Sequence, residues 1–295
     1  MLGVPDIVEL LKERWAIIDP TVHVLGTGLN SATWRIDMGQ ERLVMKAVPR
    51  TENLAVGLTV AEELSHRGFR SGPPVRAQDG SIIVEAKGMD IGLLRWEKGR
   101  PVDLRSLGEL EAVGRTLARV HRLTHGFERP WELQRWPWET LREGSHLDLE
   151  SWVRPTVTAV ADEAESAVKG GKVDLGLVHG DPNRQEFLWA ADPDDVALID
   201  WGSFSEAPFL YDLASFHVLS HTTAEQLQTI VGTYVIDTPM RASELAYLPL
   251  FIRFRWAVQS AYFAWRLLHD VSTGGAGREF NTVGLQRSRA VLVQR

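Results

Sequence analysis

Cysteine is absent from all 295 residues. That excludes disulfides, thiolate metal sites and cysteine nucleophiles, and it fits a reducing compartment. Also absent is any apolar run near the roughly 20 residues that a membrane helix needs. Met1 to Trp15 mixes Asp6, Glu9, Lys12, Glu13 and Arg14 with its apolar residues, which is not the pattern of a signal peptide. No Lys/Arg cluster is long enough to make a nucleic-acid face, and there is no internal repeat or low-complexity stretch. These absences lead us to expect a cytoplasmic protein without nucleic-acid or membrane partners; they set no oligomeric state. What is present is 44% hydrophobic residues and a net charge of −7. The length suits one or two domains with sizeable cores. The acidic balance accommodates a cationic small substrate and equally serves solubility.

The informative segment is His179-Gly180-Asp181, followed by Ile199-Asp200-Trp201-Gly202 and Tyr211-Asp212-Leu213-Ala214. Apolar strand-like runs, Leu175 to Val178 and Val196 to Ile199, precede the first two aspartates, and we expect them to reach one cleft. Phosphoryl transfer needs this division of labour: one carboxylate takes the acceptor's proton, and another holds a divalent cation against the phosphates. The plainer alternative is a pair of aspartates capping turns or helices.

The segments "LVHGDPNRQEFLW" and "ALIDWGSFSEAPFLYDLA" resemble the aminoglycoside phosphotransferase / choline kinase-like family, distant relatives of protein kinases, and the resemblance extends over nearly the whole chain. It implies ATP and Mg²⁺ as cofactors, Asp181 as catalytic base, Asp200 as metal ligand and Asp212 as a structural support. The position five after the base usually carries a metal-binding Asn in this family. Here it carries Glu186, a departure that a hard cation can accommodate but that adds a second negative charge. Asn183 is a substitute ligand or, the reading we favour, a turn residue after Pro182.

The N-terminal part carries a matching pattern. Val4 to Ile18 reads as an amphipathic helix ended by Pro20. Val22 to Leu25 and Ala32 to Met38 read as strands around Gly26-Thr27-Gly28-Leu29-Asn30-Ser31, the layout of a phosphate-covering loop. It is no Walker A motif, and the strand that follows excludes a dinucleotide-binding turn. Gly26, Gly28 and Ser31 are therefore candidate nucleotide contacts. Lys46 interrupts the buried-strand pattern Leu43 to Val48 and is the candidate phosphate lysine, with Glu62 or Glu63 of helix Leu54 to Arg67 as its possible partner. Asp79-Gly80 signals a hairpin. Leu93 to Pro101 resembles the hinge between lobes, with adenine bound by backbone near Arg95, Trp96 and Glu97.

Further on, Leu104 to Leu123, Leu147 to Val168, Leu213 to Leu219, Glu244 to Asp270 and Phe280 to Val293 read as helices, with His121 a packing or hydrogen-bonded residue. Acceptor-site candidates are Trp136, Trp138, Glu139, Glu143, Asp148, Arg253, Trp256 and Tyr262. Arg253, Arg255 and Arg266 would favour an acidic acceptor. The expected fold is α+β and protein-kinase-like: a small β-rich lobe over 1–96 and a mostly helical lobe over 97–295. The expected activity is ATP-dependent phosphorylation of a hydroxyl on a small molecule (aminoglycoside-like, sugar or amino-alcohol). The alternative is a nucleotide-binding pseudokinase.

Overall fold

The structure is a computed structural model that describes residues 2–27, 31–50, 54–127, 140–190, 195–272 and 277–293. The chain divides into two compact units. The first contains Met1–Gly99 with Ala197–Ser203; the second contains Arg100–Val196 and Phe204–Ser272 with the C-terminal helix. A β-rich N-terminal part followed by a mostly helical one is the expected kinase-like class.

The first unit is built on five antiparallel strands in the order β1-β2-β3-β5-β4: β1 Thr21–Thr27, β2 Ala32–Met38, β3 Glu41–Pro49, β4 Val84–Ala86 and β5 Met89–Arg95. Alternation on β3 sends Leu43, Met45 and Ala47 into a core with Trp34, Ile36, Ile91 and Leu93, closed by Ile7, Leu11 and Trp15 of helix α1 (Val4–Trp15). Lys46 is thereby left on the other face, paired across the ladder with Thr33 and Gly92. Leu54 and Leu58 of α2 (Leu54–His66) pack with Val48, Ile82, Ile83 and Leu94. The β4–β5 hairpin turns at Lys87-Gly88, both with positive φ, rather than at Asp79-Gly80. The latter instead forms a tight turn in which Ala77 N donates to Ser81 O at 2.8 Å.

In the second unit β7 (Leu175–Val178) pairs antiparallel with β10 (Ser205–Pro208), and β6 (Arg100–Pro101) with β8 (Phe187–Trp189). The helices are α3 (Leu107–His125), α4 (Val153–Lys169), α5 (Leu210–Ser220), α6 (Ala224–Tyr234), α7 (Leu248–Leu268) and α8 (Arg278–Leu292). α3 and α6 approach closely at Gly114, where a Cβ would meet Ile230 O at 2.2 Å. α7 is the central helix, burying Phe251, Phe254, Ala257, Ala261 and Ala264.

Candidate active site

Lys46 and Asp200 meet within the first unit. Lys46 Nζ lies 2.5 Å from Asp200 Oδ1, with the lysine largely buried and the carboxylate 45% exposed. A strand lysine this deeply buried requires such a partner. Glu62 is occupied elsewhere, binding Arg76 through both oxygens, and Glu63 pairs with Arg67 one turn along α2. Asp200 follows the short strand β9 (Ala197–Leu198) and has φ +70°, a conformation that Asp tolerates better than most residues. The next residue anchors it: buried Trp201 donates its indole N–H to Ser71 O and Leu198 O at 3.2 and 3.1 Å. At Gly57 of α2 a Cβ would meet Trp201 O at 2.7 Å, so helix and turn touch only because that position lacks a side chain.

Gly26 lies in β1 just after a register shift against β2, and Ser31 precedes β2; Gly28 lies outside the described residues. At the end of β5, Arg95 N donates to Pro73 O at 2.9 Å, and Arg42 stacks over Trp96 at 6.0 Å. Glu97 accepts from Arg70 Nε at 3.0 Å and from Gly72 N at 3.1 Å, while Arg70 O accepts from Leu198 N of β9. Glu97 is thus tied, through Arg70, to the strand that delivers Asp200, a link the sequence carried no signal for.

Asp181 belongs to the second unit, just beyond β7. Its backbone approach is pinned by fully buried Asp212 of α5, which accepts from His179 N at 2.9 Å and Gly180 N at 2.8 Å. His121 of α3 bonds Asp212 through Nε2 at 2.9 Å and Tyr234 Oη through Nδ1 at 2.8 Å. Asp212 therefore braces the loop as a structural support, from within the first turn of α5. The Asp181 side chain, 45% exposed, accepts from Arg255 Nη2 of α7 at 2.5 Å. Burial pulls the Arg255 guanidinium down, but the negative charges of Asp181 and Glu186 help hold the group above its ordinary value. Burial also raises the Tyr211 hydroxyl, leaving it neutral at pH 7, so the carboxylates are the charges that Arg255 meets there.

Glu186 and Asn183 close one turn together. Asn183 N donates to Glu186 Oε2 at 3.0 Å, its side-chain amide donates to Oε1, and its own Oδ1 accepts from Gln185 N at 2.9 Å. Asn183 is a turn residue here. Of the arginines weighed for the acceptor site, Arg255 bonds to Asp181. Arg253 pairs with Glu163, Asp148 with Arg154, and Tyr262 accepts from Arg266. Glu143 is exposed and Trp256 half-buried, while Trp136, Trp138 and Glu139 lie outside the described residues.

Among the described residues no three His, Cys, Asp or Glu side chains gather into a protein-only metal cage. Mg²⁺ does not need one, because it commonly takes one or two carboxylates with substrate phosphates and waters. The accessible, hard oxygens of Asp200 fit that donor set.

The phosphotransferase enzyme family model matches residues 21–245. A homoserine kinase of Rhizobium etli (strain CIAT 652) is 25% identical over 175 residues, covering 56% of this chain and 54% of that protein. The chain thus spans about half the length of this curated relative. The fold is similar to that of a microcompartment-associated aminopropanol kinase, with TM-score 0.77 and 16% identity, covering 98% of each chain. It is also similar to an amicoumacin kinase in complex with AMP-PNP, Ca²⁺ and Ami, with TM-score 0.70 and 17% identity, covering 92% of this chain and 87% of that one. With the family model matching well over half of its length, the chain belongs to the phosphotransferase enzyme family.

Proposed function

We propose that this protein is a small-molecule kinase that transfers the γ-phosphate of ATP to a hydroxyl group. The observation that carries the reading is Asp181: an accessible carboxylate on a loop whose backbone is held by buried Asp212. In the proposed reaction Asp181 takes the acceptor's hydroxyl proton as the oxygen bonds to Pγ. The bond from Pγ to the bridging oxygen breaks, and ADP leaves with that electron pair. Lys46 holds phosphate oxygens, exchanging Asp200 for them. Gly26, Gly28 and Ser31 offer backbone groups to the phosphates, and the backbone of Arg95, Trp96 and Glu97 receives the adenine. Mg²⁺ bound through Asp200, with Glu186 as the second carboxylate, would supply charge neutralisation on the phosphates.

The acceptor is a small hydroxyl compound of the amino-alcohol, hydroxy-amino-acid or sugar type. No helix among the described residues is long and apolar enough to cross a membrane. A cytoplasmic site and the lack of a nucleic-acid partner belong to the same proposal. Purified protein incubated with Mg·ATP and homoserine, aminopropanol, choline or an aminoglycoside tests it by ADP release. Asp181→Asn should lower kcat by roughly 10²–10⁴. Near-wild-type kcat in that variant would remove Asp181 as the base. The second reading, a nucleotide-binding pseudokinase, draws on Glu186 standing where Asn is expected, and it would show ATP binding without ADP release.

A further inference from the structure

The geometry points to Arg255 as the positioning residue of Asp181, an inference that rests on the proposed role of Asp181 as base. The side chain of Arg255 is 8% exposed, and its Nε is buried without a hydrogen-bond partner. Burying a guanidinium is costly, and an incompletely bonded one more so. Leu or Met at this place on α7 would fill the volume without that cost. What the arginine supplies instead is the 2.5 Å bond from Nη2 to Asp181 Oδ1.

The two halves of Asp181 are thus fixed from different helices. Asp212 of α5 holds the backbone N–H groups of His179 and Gly180, which sets where the loop runs. It leaves the Asp181 side-chain torsions open. Arg255 of α7 settles them by engaging one carboxylate oxygen. A carboxylate has about four lone-pair sites, so a hydroxyl can still donate to it while the guanidinium is bonded. The charged groups around Arg255 are Asp181 and Glu186 from the loop, with neutral Tyr211 from α5; Tyr211 in turn packs edge-on against Phe254 of α7 at 6.0 Å. A general base acts only within hydrogen-bond reach of its proton, and an error of about 1 Å in placement costs on the order of 10² in rate. Arg255 does not touch the acceptor in this scheme; it acts through Asp181.

The test compares Arg255→Ala, Arg255→Gln and Arg255→Lys with Asp181→Asn, using homoserine, aminopropanol and choline as acceptors and water as a fourth. Arg255→Ala and Arg255→Gln should lose about 10² in kcat while the KM for ATP stays within about twofold. Arg255→Lys should keep most of the rate. Millimolar guanidinium ion should restore part of the rate to Arg255→Ala and none to Asp181→Asn. Wild-type kcat in Arg255→Gln overturns the inference. So does a loss in all three Arg255 variants that neither lysine nor guanidinium repairs, since that is how a purely structural residue behaves. If Arg255→Ala does not fold, Arg255→Gln and Arg255→Lys decide by the same kcat-against-KM split. No ADP release from wild type with any acceptor or water, or full activity in Asp181→Asn, overturns the kinase reading and this inference with it.

Discussion

At the scale of single residues, the two carboxylates proposed for metal carry different local constraints, and each constraint dictates the substitution that reads charge alone. Asp200 has φ +70°, where Ala is strained but Asn is tolerated. Asp200→Asn therefore keeps the turn, removes the charge and releases Lys46 from its ion pair. Calorimetry should show Mg·ATP affinity falling at least about tenfold while binding of metal-free ATP holds or improves; unchanged Mg·ATP affinity takes Asp200 out of the metal site. Glu186 braces Asn183 through both oxygens. Glu186→Gln retains an acceptor for Asn183 N and loses the charge. Mg²⁺ should then bind less tightly with the melting temperature unmoved. A Mg²⁺ dependence of turnover identical to wild type would leave Glu186 as a turn residue only.

At the scale of elements, the sequence showed the apolar runs that became β3 and β7 and the motifs that follow β7 and β9, because strand patterning and turn residues are local signals. It did not show who meets whom. Lys46 and Asp200 are 154 positions apart, and Asp181 and Arg255 are 74 apart; no local pattern encodes such pairings. Helix boundaries shifted for steric reasons. The long stretch expected over Glu244 to Asp270 breaks into a 3₁₀ turn, Ala242–Tyr247, before α7 starts ahead of Pro249, a residue suited to a first helical turn. Helix α6 has a weak local signal, burying just Ile230 and Tyr234, although Thr223 and Gln226 form a reciprocal cap at its start. Packing makes one element testable through a single methyl group. In Gly57→Ala the new Cβ would press on Trp201 O, a backbone atom that cannot rotate away. α2 or the Asp200 turn must move, at a cost of about 1–3 kcal/mol. The expected result is a lower melting temperature together with weaker Mg·ATP binding. Full stability and affinity would mean that the α2–turn contact does not hold Asp200.

At the scale of the whole molecule, stability should depend on pH in two steps of the same sign. Burial lowers the His217 and His146 imidazoles below their ordinary value. The unfolded chain then takes up these protons first, so stability is present above about 6.5 and declines as pH falls below it. Carboxylates held low by arginines act further down. Hydrogen bonds from Arg100 lead in lowering Glu109, which links β6 to α3, and Arg105 holds Asp103 at about 2. A depressed carboxylate gives stability that is complete above its unfolded value and is lost as pH falls through its folded one, which places the second step below about 4.5. Asp103 and Arg105 are exposed, and solvent screens that pair into a minor contribution. Glu109, with a 6% exposed side chain, should dominate. Melting temperatures measured from pH 7.5 to 3 should therefore fall gently below about 6.5 and steeply below about 4.5. Glu109→Gln should flatten the lower step and His217→Gln should reduce the upper one. Because Glu109 is buried but its partner Arg100 is half exposed, 0.5 M salt should shrink the lower step less than it shrinks a step carried by pairs exposed on both sides. A melting temperature constant across this range, or a lower step that Glu109→Gln leaves intact, would refute the assignment.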